Sequence, residues 1–263
     1  MTTLFNNVER LHLCEAEDGL WFFSPMIAGD QEFYTALYRN LRFDRFLAGE
    51  RYEFALAARH VSAGSTFARQ LHDVTYTGID LSFDDSEAEQ LPPNSTIRCQ
   101  SLDHHLTEGR LYEVVSAFQV LEHVDDPRGF LEKMTRLLGP SGKIIIAVPL
   151  APSPAPEVPA FPINMPPHHL TFWTKAALHR LFSAVGLRVV HYSEVPPSPA
   201  EDFLFWSRRF SWIRQGREFA RLDRYAVMSM LTGVAAAKLL AGRVNYRRAD
   251  HRPVNHLIVG QLP

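Results

Sequence analysis

Residues 143–148 read Lys-Ile-Ile-Ile-Ala-Val, a run in which consecutive side chains, and not alternate ones, are apolar. Successive residues of a strand face opposite ways, so a run of this kind suits a strand covered on both faces, as in sheets flanked by helices. The rest of the chain has the alternation that such a sheet needs. Strands are expected at Val74–Asp80, Ser95–Gln100, Tyr112–Ala117, Leu187–Tyr192 and His256–Leu262. Helices are expected from Asp30 through Phe33, Leu37, Leu41 and Phe46, from Glu50 to Val61, around Phe67–Leu71, over Asp126–Leu138 and over Lys175–Val185, the last with a Gly186 stop. Residues 1–30 read as an irregular lead-in with short extended pieces, and the proline-rich stretch 149–167 fits neither helix nor central strand. The fold class is therefore α/β, a doubly wound, mostly parallel sheet with its ligands at the carboxyl edge.

At 263 residues the chain can bury one substantial core plus an appended cap. Its two cysteines, Cys14 and Cys99, form no C-x-x-C pair, which excludes a disulfide framework and a cysteine-rich zinc site and suits a reducing cytoplasm. The first residues show no basic stretch followed by an apolar one, so no signal peptide is expected. The net charge of −2 conceals an uneven distribution: Ser207–Arg252 holds eleven Lys or Arg against three acids, interleaved with Phe203, Phe205, Trp206, Phe210, Trp212 and Phe219. This segment, part of a mostly helical region over 200–245, reads either as a helical lid with solvated arginines or as a basic-aromatic face lying on an anionic membrane. No nucleic-acid-binding module accompanies the charge. Ala226–Ala241 is interrupted by Lys238 and is shorter than the ~20 residues of a spanning helix. The expected location is cytoplasmic, with residues 203–252 offering a peripheral contact at the inner membrane surface.

The most specific motif is Tyr112-Glu-Val-Val-Ser-Ala-Phe-Gln-Val-Leu-Glu-His-Val-Asp-Asp-Pro127. Phe130-Leu131, Leu137-Leu138-Gly139-Pro140-Ser141-Gly142 and Ile144–Pro149 follow in order, and Asn164-Met-Pro-Pro-His-His-Leu-Thr-Phe-Trp173 comes later. Together with Phe33-Tyr34 and Arg51-Tyr52-Glu53-Phe54, these pieces resemble the class I S-adenosylmethionine-dependent methyltransferases, and within them a subgroup carrying "VLEHV.DP … PPHHL..W". The resemblance covers roughly residues 10–195. It implies a Rossmann-like sheet with a helical C-terminal insertion. The corresponding division is 1–50 lead-in and helices, 51–198 core, 199–254 basic cap and 255–263 final core strand.

The resemblance also implies a site. Asp80 would accept the ribose hydroxyls of the cofactor, or it is a solvated strand-end acid. Leu81 adjoins it. Leu102 and Asp103 would lie beside the adenine, or Asp103 is an ordinary loop acid. Phe118 and Gln119 leave the fourth strand at the methionine end, and Gly64 marks what remains of the glycine loop. His123 is either a general base or a cap for the next helix. His168 and His169 either take the acceptor's proton or wall the pocket. His104 and His105 are expected at the surface. In relatives acting on quinol precursors an E-x-x-E-H motif ligates metal. Here its first acid is Gln119, a poorer ligand for a hard cation, so no metal is expected there.

The family's first strand and glycine turn let backbone approach the cofactor closely. In this chain Ala58–Ala68 contains neither the apolar strand nor the repeated glycines. Either Val61, Ala63 and Ser65 replace the glycines, or some nine to eleven residues are absent, including the first strand. The expected function is methyl transfer from S-adenosylmethionine to a small-molecule or glycan acceptor. The alternative is a non-catalytic methyltransferase-like module that has lost its cofactor and binds a partner or membrane through the basic cap.

Overall fold

A computed structural model describes residues 11–30, 33, 75–81, 94–151, 166–196 and 254–263, together with helical positions Thr232, Gly233, Ala235, Ala236 and Leu239. The helices expected over 50–61 and 67–71, and the degenerate glycine loop, lie outside the described residues. Of the first expected helix, Asp30 and the helical Phe33 are described, and the Asp30 carboxylate accepts from the Phe33 amide at 2.8 Å, as an N-cap does.

Three sheets are present among the described residues. Strand β1 (His12–Glu15) and β2 (Trp21–Ser24) form an antiparallel hairpin, joined on the far side of β2 by β7 (Thr171–Phe172). Strand β3 (Tyr76–Ile79) pairs in parallel with β4 (Ser95–Arg98). The largest sheet runs in the order β5 (Tyr112–Phe118), β6 (Leu138–Pro149), β9 (Asn255–Gln261), β8 (Arg188–Val195). Its β5–β6 pair is parallel, whereas β9 runs antiparallel to both its neighbours. Helix α1 (Leu102–Leu106) links β4 to β5, α2 (Pro127–Thr135) links β5 to β6, and α3 (Lys175–Ala184) precedes β8.

The expected strands all appear, with ends within three residues of expectation except that β6 opens at Leu138, five residues before Lys143. One expectation is corrected. The helix read over 126–138 stops at Thr135, because Leu138 already pairs with Tyr112 and opens β6. The short extended pieces expected in the lead-in are β1 and β2, paired as a hairpin that closes where Gly19 takes φ +77 and its amide meets the Ala16 carbonyl at 2.9 Å.

The isoleucine run behaves as its pattern requires. Ile144, Ile146 and Val148 face one side of β6 with Ile258 of β9, beneath Leu131 and Met134 of α2 and Ala177, Leu178 and Phe182 of α3. Ile145 and Ala147 face the other side with Leu257 and Val259, and all four are fully buried. A fully buried Ile contributes roughly 1.5–3 kcal/mol, so this strand pair anchors the core. Helix α3 ends where Gly186, at φ +78, lets the Leu187 amide return to the Phe182 carbonyl at 3.0 Å.

Gly260 faces Phe182 so closely that a Cβ there would lie 2.6 Å from the ring and 3.2 Å from the Leu187 Cβ. Phe182 is completely buried and has no free volume to retreat into. Gly260→Ala is expected to lower unfolding stability by about 1–3 kcal/mol, read as a reduced denaturation midpoint with unchanged m-value.

Candidate functional site

Helix α1 ties the carboxyl end of β4 to the amino end of β5. His105 of α1 bridges Gln100 (2.6 Å) and the Tyr112 hydroxyl (2.7 Å), while Arg98 at the end of β4 clasps Glu108 at 2.8 Å. The amide of Gln100 donates to Nδ1, so Nε2–H donates to Tyr112. His105 is thus buried, contrary to the expectation of a surface residue, because a strand-end tyrosine and a glutamine offer both ring nitrogens partners. His104 is exposed as expected.

At the end of β5 the chain turns sharply. Gln119 adopts φ +56, costly for a residue with a Cβ. Its amide donates to the Ala147 carbonyl at 2.8 Å, and its side chain donates to Asn255 Oδ1 at 3.3 Å. A 3₁₀ turn, Leu121–His123, follows with Leu121 and Glu122 fully buried. His123 does not cap α2; the Asp126 carboxylate does, accepting from the Gly129 amide at 2.9 Å ahead of Pro127.

The Pro166–Leu170 loop folds onto this turn. The Leu170 amide donates to the Glu122 carbonyl at 2.8 Å, and His123 Nδ1 donates to the carbonyl of His168. The hairpin holds the loop from its other side: the Phe23 amide donates to the Leu170 carbonyl (3.0 Å) and the Gly29 amide to that of Pro167 (3.1 Å). Trp173 continues the attachment, its carbonyl accepting from the Ala151 amide (2.8 Å) and from His256 Nε2 (2.9 Å).

The product is a cluster of three imidazoles. Ring centroids lie 4.3 Å apart for His123 and His168, 4.9 Å for His123 and His169, and 5.0 Å for His168 and His169. Burial pushes all three below the usual histidine range. For His123 the carbonyls of His168 and Gln119 oppose that push. His168 falls to about 3, with His123 as a second cause, and His169 is well below its ordinary value. All three rings are therefore neutral at pH 7.

The other expected site residues sit apart from these rings or are not joined to them by any described contact. Asp80 ends β3 exposed, its amide bonded to the Arg98 carbonyl at 3.1 Å, and Leu81 beside it is half exposed. The Asp80 charge, after burial, helps to raise the Tyr76 phenol to about 12. Leu102 packs against the main core, and Phe118 is half-buried at the end of β5. Asp103 pairs with Lys133 of α2 at 2.8 Å, so its carboxylate is an exposed ion-pair partner. Gly64 lies outside the described residues. Sequence reasoning had not singled out Asn255, which holds Gln119, nor His256; no motif marks either, because their partners are 136 and 64 or more residues away.

The sequence profile of the methyltransferase-domain family matches residues 59–192, or 134 of the 263 residues. The chain belongs to that methyltransferase family. The strand orders β4–β3 and β5–β6–β9–β8, with β9 alone reversed in the larger sheet, give it the Rossmann-like fold of class I S-adenosylmethionine-dependent methyltransferases. Two solved structures share that fold. One is the Burkholderia thailandensis 1,6-didemethyltoxoflavin-N1-methyltransferase, bound to 1,6-didemethyltoxoflavin and S-adenosylhomocysteine. It is 13% identical with TM-score 0.53, over 96% of this chain and 99% of that one. The other is a Haloferax volcanii methyltransferase in complex with the Trm112 methyltransferase activator. It is 15% identical with TM-score 0.53, over 87% of this chain and 97% of that one. In sequence, the ubiquinone biosynthesis O-methyltransferase of Coxiella burnetii is 26% identical over 81 residues, 29% of this chain. The chain spans about a third, 35%, of that relative's length.

Behind the site, His256 donates from Nε2 to the Trp173 carbonyl, so Nδ1 accepts from the Tyr192 hydroxyl at 2.7 Å. Burial lowers its pKa, aided by Lys175; the Trp173 carbonyl and Glu194 oppose this. A depressed folded-state pKa means the unfolded chain takes the proton first. The contribution is therefore intact above the ordinary value of about 6.5 and is lost as pH falls below it, by at most about 1.4 kcal/mol per pH unit. In denaturation series at pH 7.5 and 5.5, His256→Gln is expected to show a shallower loss of stability on acidification than the parent chain.

Proposed function

We propose that the chain transfers a methyl group from S-adenosylmethionine to a small-molecule or glycan acceptor at the carboxyl edge of its sheet. The observation that carries the reading is the His123–His168–His169 cluster that forms beyond the carboxyl end of β5, with Asp80 exposed at the carboxyl end of β3. When bound, the cofactor supplies an electrophilic methyl on a sulfonium. The residues present fit it: Asp80 offers an exposed carboxylate to vicinal ribose hydroxyls, and Leu81, Leu102 and Phe118 offer apolar surface to the adenine and the methionine arm. Gly64 and Asp103 join the cofactor site by resemblance, Asp103 while bonded to Lys133. Gln119, held by Asn255, aims the end of β5 at the methionine end.

The three imidazoles receive the acceptor. Neutral rings accept a hydrogen bond from an O–H or N–H and orient the attacking lone pair toward the methyl, and such positioning supplies most of the rate in a displacement of this kind. Acceptor specificity, or contact with an anionic membrane surface, would come from the basic segment 199–254. Among the described residues no helix is long and apolar enough to cross a membrane.

One observation favours the second reading, a module without catalysis. Among the described residues, neither the edge of β3 away from β4 nor the edge of β5 away from β6 pairs with another strand, and the family's first strand would lie between them.

Calorimetric titration with S-adenosylhomocysteine separates the two. Saturable binding is expected, weakened about tenfold or more in Asp80→Ala, since hydrogen bonds to a charged acceptor are worth roughly 1.5–3 kcal/mol. A folded protein that evolves no heat at high micromolar ligand would overturn catalysis, and unchanged affinity in the variant would remove Asp80 from the site.

A further inference from the structure

The histidine cluster has a second chemical character. Its members come from two segments 45 residues apart, and one nitrogen from each of His123, His168 and His169 lies within 4.8 Å of the other two. Nitrogens bound to one tetrahedral zinc at ~2.1 Å are separated by about 3.4 Å, so small ring rotations bring these three into register. His123 Nδ1 donates to the His168 carbonyl, and Nε2, 3.8 Å from Glu122 Oε1, is the nitrogen that a cation would take. A ring nitrogen fixed on a backbone carbonyl while the other is presented as a ligand is the arrangement found around metal-binding histidines. His169 is 8% exposed, and its buried Nδ1 has no hydrogen-bond partner among the described residues.

We propose that His123, His168 and His169 bind a divalent cation of the zinc class, with a fourth position open to water or to the oxygen of the methyl acceptor. The absence of an acid at Gln119 argues against an oxygen-rich site for a hard cation at that motif. It has no bearing on three nitrogens, which prefer zinc, cobalt or nickel over magnesium. Three protein ligands and one free position is the pattern of catalytic zinc, and the His123 side chain, 16% exposed, leaves the cluster accessible from one side. A hydroxyl bound at the fourth position would release its proton to water more readily, leaving an oxygen lone pair to form the new bond to the methyl. The sulfonium carbon–sulfur bond breaks with its electrons kept on sulfur. This use of the cluster rests on the methyl-transfer reading, whereas cation binding itself does not.

The test uses the full-length chain, stripped with a chelator and titrated with Co2+ as an optical probe, then with zinc in competition. One equivalent of Co2+ is expected, with the intense visible bands of a four-coordinate site, displaced by zinc. Each of His123→Ala, His168→Ala and His169→Ala should weaken binding tenfold or more, and His12→Ala, on the exposed face of β1, should leave it unchanged. A folded protein that takes up no Co2+, or whose uptake ignores the three substitutions, overturns the proposal. Should a variant fail to fold, the exchangeable hyperfine-shifted imidazole N–H resonances of the Co2+-loaded parent decide: three support the site, and fewer reject it. S-adenosylhomocysteine binding without Co2+ binding removes this inference alone, while the reverse removes the cofactor reading alone.

Discussion

Two hydrogen bonds between the 3₁₀ turn and the Pro166–Leu170 loop hold the site together. The Leu170 amide reaches the Glu122 carbonyl, and His123 Nδ1 reaches that of His168. Every group in them is buried or nearly so, and a buried backbone donor without a partner is costly. The loop therefore has one stable seat, and that seat sets the spacing of all three imidazoles. Because Leu170 also accepts from Phe23, the hairpin β1–β2 shares in the same geometry although it carries no catalytic group.

The sheet beneath supplies rigidity. β6 and β9 are covered on both faces, and Gly260 is left without a side chain so that Phe182 can press against the strand. β9 begins, opposite the carboxyl end of β6, with Asn255 and His256, both buried and polar, and each spends its hydrogen bonds on the site: Asn255 on Gln119, His256 on Tyr192 and the Trp173 carbonyl. Core and site are thus continuous along a single strand.

Much of this was legible in the sequence. The isoleucine run announced a doubly covered strand, the Gly186 stop ended α3, and the motif pieces placed the family. What could not be read were pairings between distant polar residues. His105 looks like a surface histidine until Tyr112 and Gln100 are seen on either side of it. His123 offered itself as a helix cap, but Asp126 directly before Pro127 occupies that position. The meeting of His123 with His168 and His169 depends on a loop whose path follows from hydrogen bonds to the hairpin. Local spacing carries no trace of contacts made across more than 40 residues.

The order of the largest sheet bears on how the chain reaches its native state. β8 touches β6 only through β9, yet β9 is made after both, some sixty residues beyond β8. During synthesis β5 and β6 can pair and recruit α2, while β8 and α3 wait without a sheet neighbour. The last strand must then enter a slot between two partners already present, forming both of its ladders together. Such late, non-local closure is slow by nature. It exposes the edges of β6 and β8 for that interval, which makes the waiting chain, more than the finished one, the form that needs protection from aggregation.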